Sequence, residues 1–262
     1  MNVLFVGDVA GKVGREALAA KLPELRVTHD LEVCVANVEN SAGGFGVTPD
    51  TAEDFVRMGF DAMTSGNHIW DKKEIIPYLR REGCRLLRPH NLPPGSPGSG
   101  VVVFTSKGGH KVAVVNLIGR LFMQQAADCP FRTADAILGS LPADVRIVLV
   151  DMHGEATSEK QAIGWHLAGR ASAVVGTHTH VQTSDEKVLP PGTAYITDLG
   201  LTGPHDGVIG LAKESALTRF LTQMPHRAQQ AEGNVRVQAA VVSIDAATGR
   251  ATGVERLDLP AS

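Results

Sequence analysis

Short apolar runs rich in Val and Ile recur along the chain, each ending in polar or glycine-rich sequence. They cover Val3–Val6, Val33–Val38, Ala62–Thr64, Val101–Phe104, Val112–Ile118, Ile147–Val150, Ala173–Val175, Ala194–Thr197 and Val237–Ile244. Most are continuous rather than alternating, the pattern of strands buried on both faces. Between several of them the spacing becomes helical. Leu18, Leu22 and Leu25 recur four and three apart after Gly14 and share one helical face. Thr48-Pro49 predicts an N-cap followed by Pro at the first helical position. Ser158-x-x-Gln161 predicts a capping box ahead of Ile163 and Leu167. From Asn234 to Leu259 two alternating runs flank Ala246-Ala247-Thr248-Gly249, which predicts a C-terminal β-hairpin on a sheet edge. Strand and helix in alternation predict an α/β layered fold.

Composition narrows the class. With 262 residues, 43% of them hydrophobic, the chain can bury a sizeable core and is too apolar for disorder, so one domain over residues 1–262 is expected. The formal net charge is −3 and no long Lys/Arg run occurs, which argues against extended nucleic acid and against an anionic membrane surface. A locally positive site for a small phosphoester stays compatible with that balance. Cys34, Cys84 and Cys129 are widely separated and form no C-x-x-C, so neither a zinc knuckle nor a disulfide framework is expected. The first residues lack a signal-peptide pattern, and no apolar run approaches the roughly 18 residues of a membrane span. A cytoplasmic protein is expected.

Chemistry gathers where strands hand over to loops. Asp8 follows the first run, Asn37-Val38-Glu39-Asn40 ends the second, and Gly66-Asn67-His68 follows the third. Asp151-Met152-His153-Gly154-Glu155 follows the Ile147–Val150 run, and Gly176-Thr177-His178-Thr179-His180 follows Ala173–Val175. In open α/β sheets ligands collect beyond the carboxyl ends of the strands. Five strand ends thus deliver carboxylate, amide and imidazole, a mixed donor set suited to Mn, Fe or Zn. Two adjacent ions, about 3.5–4 Å apart, clamp a phosphate and acidify a water. They need a bridging oxygen, for which Glu39 or Asp8 could serve, Glu39 being favoured by its place within a polar cluster. His68, beside Asn67, is the candidate acid for the leaving oxygen. Asn37 suits a turn better than ligation. His29, His90, His110, His166, His205 and His226 lack such context and are read as structural or surface residues.

In chain order these motifs resemble those of the calcineurin-like metallophosphoesterases, and of the bacterial YmdB-like branch in particular. The likeness runs nearly end to end. It is carried by Gly66-Asn67-His68-Ile69-Trp70-Asp71-Lys72, by Asp151-x-His153-x-Glu155 through Lys160, by Gly176-x-His178-x-His180-Val181-Gln182-Thr183, and by Ala194-Tyr195-Ile196-Thr197-Asp198-Leu199-Gly200-x-Thr202-Gly203-Pro204. The resemblance implies a four-layer α/β/β/α sandwich holding two metal ions, often iron or manganese, and 2′,3′-cyclic-nucleotide 2′-phosphodiesterase activity. It implies Asp8, Glu39, Asn40 and His180 around the first ion, Glu39 bridging, Asn67, His153 and His178 around the second, and His68 as the catalytic histidine. The D-x-H opening of the wider superfamily is here Asp8-Val9-Ala10, with Asn40 in place of the lost imidazole.

Arg120 and Arg170 carry guanidinium groups that match phosphate, though each serves as readily as a structural ion-pair partner. Thr202 and Gly203 are candidates for the pocket rim. Alternative functions for the same donor set are a phosphomonoesterase or nucleotidase, and a non-catalytic nucleotide sensor. A homo-oligomer is compatible with the sequence.

Overall fold

The computed structural model describes residues 1–225 and 227–261, so the reading of His226 lies outside the described residues. In chain order the elements are β1 (Asn2–Val6), β2 (Asp8–Val9), α1 (Gly11–Thr28), β3 (Leu31–Asn37), α2 (Pro49–Met58), β4 (Ala62–Thr64), α3 (Ile75–Leu79), β5 (Val101–Thr105), β6 (Lys111–Ile118) and α4 (Pro130–Ser140). There follow β7 (Ile147–His153), α5 (Thr157–His166), β8 (Ala173–Thr177), β9 (Lys187–Leu189), β10 (Thr193–Ile196), β11 (Leu201–Pro204), α6 (Lys213–Thr222), β12 (Val235–Asp245) and β13 (Arg250–Pro260).

Two sheets form. One runs β2-β11-β12-β1-β3-β4, with β13 paired to β12; the other runs β5-β6-β7-β8-β10-β9. Side chains alternate across a strand, and here both faces are apolar. Val3 and Phe5 of β1 join Ile147 and Leu149 of β7 in a core between the sheets. Leu4 and Val6 instead pack with Leu18, Leu22 and Leu25 of α1 and Phe55 of α2. On the second sheet Val148 and Val150 meet Ile137 of α4 and Ile163 of α5. The three cores lie between helices and sheet, sheet and sheet, and sheet and helices. That is why the runs are continuous.

The same alternation places the polar residues. On β7, Asp151 and His153 continue the face of Ile147 and Leu149; on β8 Thr177 continues that of Ala173 and Val175. On β3 Asn37 continues the face of Val33 and Val35, and on β4 Thr64 continues that of Ala62. β1, β3 and β4 are mutually parallel, as are β6, β7, β8 and β10. The inter-sheet core therefore changes from aliphatic to polar at one end, where the carboxyl termini of both sets meet.

Two local expectations need correction. The helix after His153 begins at Thr157, its N-cap is Ala156, and no side chain caps it. Ser158 therefore lies inside the first turn, while the buried Glu159 carboxylate accepts the N–H groups of Arg120 and Leu121. β5 is not buried on both faces; it is the edge of its sheet and Val103 is exposed. The Thr48 cap does form, with the Thr51 N–H donating to its hydroxyl at 3.2 Å, and β12 and β13 make the expected hairpin with β13 outermost. All three cysteines are free thiols. Among the described residues no helix is long and apolar enough to cross a membrane.

Candidate active site

His153 stands at the centre of the polar end and is fully buried. Its Nε2 faces Asn67 Oδ1 at 2.9 Å, Glu39 Oε1 at 3.0 Å and His178 Nδ1 at 3.1 Å. A single proton on Nε2 cannot serve all three of these acceptors. A cation can, and Glu39, His153 and His178 do offer ligand atoms within 4.8 Å of one another.

The orientation of His153 is set from behind. The Thr177 hydroxyl donates to Asp151 Oδ1 at 2.8 Å, so it accepts from His153 Nδ1–H at 2.9 Å. That fixes the Nδ1 proton and turns Nε2 toward the cluster, as bound imidazoles require. Asp151 is held in turn by the Thr64 hydroxyl and by Asn37 Nδ2 at 3.3 Å. Asn37 thus braces the site, and its Oδ1 also accepts the Glu39 N–H at 3.1 Å. Gly66 is required beneath, because a Cβ there would overlap the His153 ring.

A second group of donors lies beside the first. Asp8 is fully buried, and its Oδ2 accepts the His178 N–H at 3.1 Å. Among the described residues Asp8 Oδ1 has no hydrogen-bond partner, and His180 Nε2 is 3.8 Å from it. The His180 Nδ1–H donates to Ile209 O at 3.0 Å, leaving Nε2 as the free lone pair. Asn40 donates through Nδ2 to Gly44 O at 2.9 Å, while its buried Oδ1 also has no partner among the described residues. Buried oxygens left without donors are costly. Asp8 Oδ1, 3.8 Å from the His180 lone pair, is an oxygen that a cation would satisfy.

Glu39 lies between His153 and His68, since Oε1 is 3.0 Å from His153 Nε2 and Oε2 accepts the His68 N–H at 3.0 Å. Burial pushes the Glu39 carboxyl up, but the adjacent His153 ring outweighs it and holds the carboxyl well below its usual range. Burial also disfavours charge on His153, yet Glu39 raises it well above the usual imidazole range. His178, buried next to that ring, is pushed down to about 3. Burial raises Asp8, and raises Asp151 to about 6.

His68 lies at the mouth. Its Nδ1 meets Asp71 Oδ2 at 2.8 Å, and its ring packs edge-on against Phe45 at 5.1 Å. Nε2 has no protein partner among the described residues. The His178–His180 loop is held from below by the buried Lys160–Asp198 pair at 2.7 Å, with Asp198 Oδ2 accepting the Thr179 N–H at 3.1 Å. Glu39, Asn40, His68, His178 and His180 open into a cleft of about 310 Å³, lined also by Ala10, Phe45, Glu155, Ile209, Leu211 and Gln230.

Asp8, Glu39, Asn40, Asn67, His68, His153, His178 and His180 are therefore brought together. Arg120, Arg170, Thr202 and Gly203 are not; Gly203 is buried in β11 opposite Arg236 of β12. Arg120 lies on the outer surface near α5, in a depression with Phe131 and Ala162. Arg170 pairs with Asp135 at 2.7 Å. Thr202 is buried in β11, where its hydroxyl donates to Gln238 O at 3.1 Å and locks β11 to β12. Sequence reasoning missed Phe45, Ile209 and Gln230, which have no chemical signature of their own, and missed the bracing role of Thr177.

A family model described as YmdB-like protein matches residues 4–257. A Bacillus subtilis relative named 2′,3′-cyclic-nucleotide 2′-phosphodiesterase is 44% identical over 98% of this chain and 96% of its own length. A crystal structure of a hypothetical protein from Thermus thermophilus is 40% identical, with a TM-score of 0.91 over 99% of this chain and 100% of that one. The structure of a novel phosphatase from Mycoplasma pneumoniae is 28% identical, with a TM-score of 0.92 over 99% and 93%.

Proposed function

Because the chain belongs to the YmdB-like family, we propose that it hydrolyses small phosphodiesters, 2′,3′-cyclic nucleotides among them, at the 2′ ester bond. The observation that carries this reading is the convergence of Asn67, Glu39 and His178 on His153 Nε2, beside the orphaned oxygens of Asp8 and Asn40. Asp8, Glu39, Asn40 and His180 would hold one ion; Glu39, Asn67, His153 and His178 would hold the other. Such ions supply positive charge to phosphoryl oxygens and acidity to a water.

The chain's own residues do the rest. Thr177 and Ile209 O keep the imidazole lone pairs of His153 and His180 facing the site. Asp71 engages His68 Nδ1, so Nε2 is the atom free to give a proton to the departing 2′ oxygen. General acid help of this kind is worth roughly 10²–10⁴-fold. The donor set of carboxylate, amide and imidazole suits iron or manganese, with zinc next.

The test is incubation of manganese- or iron-loaded protein with 2′,3′-cyclic AMP. Formation of 3′-AMP supports the assignment. No product, with both ions verified by elemental analysis, refutes it. The phosphatase named among the structural relatives motivates a parallel assay on a phosphomonoester; a higher kcat/KM there would favour the monoesterase reading.

A further inference from the structure

Ile209 occupies a backbone position that its side chain disfavours. Val208 and Leu211 exchange N–H···O bonds at 2.8 and 2.9 Å, closing a two-residue hairpin loop. The central residues, Ile209 at φ 47° and Gly210 at φ 87°, are both left-handed, the type I′ pattern. Asn, Asp or Gly suits the first of these sites, and a β-branched residue there is an outlier. Strained positions of this sort cluster at ligand sites. Core packing does not account for the isoleucine, because it is 51% exposed. Its carbonyl orients His180, but any residue could supply a carbonyl. What only isoleucine adds is an apolar branched surface facing the cleft.

That surface has companions. Phe45, 36% exposed and edge-on to His68, lines the same cleft. Its loop turns through left-handed Gly43, Gly44 and Gly46. The Gln230 amide lies against Gly11 and Gly44, where a side chain on Gly11 would collide with it. Among the described residues that amide has no hydrogen-bond partner. The cleft holds about 310 Å³, room for one mononucleotide and too little for a longer strand. With the ion-binding residues on one side for the phosphate, the apolar surfaces and the amide remain for the rest of the substrate.

We infer that Phe45, Ile209 and Gln230 form the subsite for the nucleobase. Phe45 and Ile209 give apolar contact to its faces, and Gln230 offers one donor and one acceptor to its edge. The inference rests on the cyclic-nucleotide reading and deepens it.

The test compares kcat/KM of the metal-loaded protein on 2′,3′-cyclic AMP and on ribose 2′,3′-cyclic phosphate, which lacks the base. The wild type should prefer the nucleotide. Ile209→Asn and Phe45→Ala should each lower that preference about tenfold, mainly through KM, as expected for a lost base contact. Ile209→Asn should also raise Tm by about 2–4 °C, because asparagine fits the turn. Equal wild-type rates on both substrates, or an unchanged preference in both variants, would overturn the subsite while leaving the phosphodiesterase reading intact. A parallel fall on both substrates would also overturn it, pointing to displacement of His180. A wild type that cleaves neither removes the underlying reading itself.

Discussion

Replacing Thr177 with Val exchanges one hydroxyl for a methyl at a fully buried position, so shape is conserved and hydrogen bonding is not. In the native protein that hydroxyl donates to Asp151 Oδ1 at 2.8 Å and accepts His153 Nδ1–H at 2.9 Å. The variant leaves the Nδ1–H without its acceptor. A buried donor stripped of its partner costs about 1–3 kcal/mol. Asp151 loses less, because Thr64 and Asn37 still hold its other oxygen. If Nδ1 gives up its proton instead, the ring keeps the one on Nε2, where Glu39 lies 3.0 Å away. That tautomer has no lone pair for a cation. Loss of such an orienting contact weakens metal binding by roughly 10–100-fold, or about 1.4–2.7 kcal/mol. Competition against a chelator, with elemental analysis of bound manganese, reads this directly. One ion should weaken more than the other, and Thr177→Ser should restore both. If Thr177→Val folds and binds both ions with native affinity, the hydroxyl does not orient His153.

Other outcomes follow from the same contacts. His68→Ala should lower turnover by roughly 10²–10⁴-fold with both ions retained; an unchanged rate removes His68 from the chemistry. Gly66→Ala would drive a methyl into the His153 ring, so metal content and activity should fall together, and native metal content would refute the steric reading. Lys160→Met strands the buried Asp198 carboxylate, a change that costs about 3–5 kcal/mol; a midpoint shift of under about 1 kcal/mol in denaturant unfolding would show that the pair does not hold the loop. Ion-free protein should lose stability as pH rises. His153, raised to about 9 in the folded state, contributes fully below the ordinary imidazole value of about 6.5 and loses that contribution through pH ~9. Metal binding should release protons over the same window, and calorimetry in buffers of different ionisation enthalpy would detect it.

Much of the architecture was legible because it is local. A strand buried on both faces must read as a continuous aliphatic run, and the point where that run turns polar marks its carboxyl end. Val33–Val38 and Ile147–Val150 announced β3 and β7 in this way, although β7 extends to His153. The same logic located Asp8, Glu39, Asn67, His153 and His178 at strand ends before any contact was known. Capping was less secure. Thr48 forms its box, whereas Ser158 does not, since the helix there already starts at Thr157.

What the chain by itself determined was the set of strands, the helices between them and the kinds of donor atoms at the strand ends, because side-chain periodicity encodes these over a few residues. What only the tertiary structure decided was which groups face one another. Asn37 meets Asp151 across a separation of 114 residues, and His178 meets Asp8 across 170. Arg170 finds Asp135 instead of the cleft. Thr202 turns into the sheet. Phe45, Ile209 and Gln230 reach one cavity from separate loops. Such pairings depend on how the sheets stack and where the loops fold back, and no short-range pattern in the chain records them.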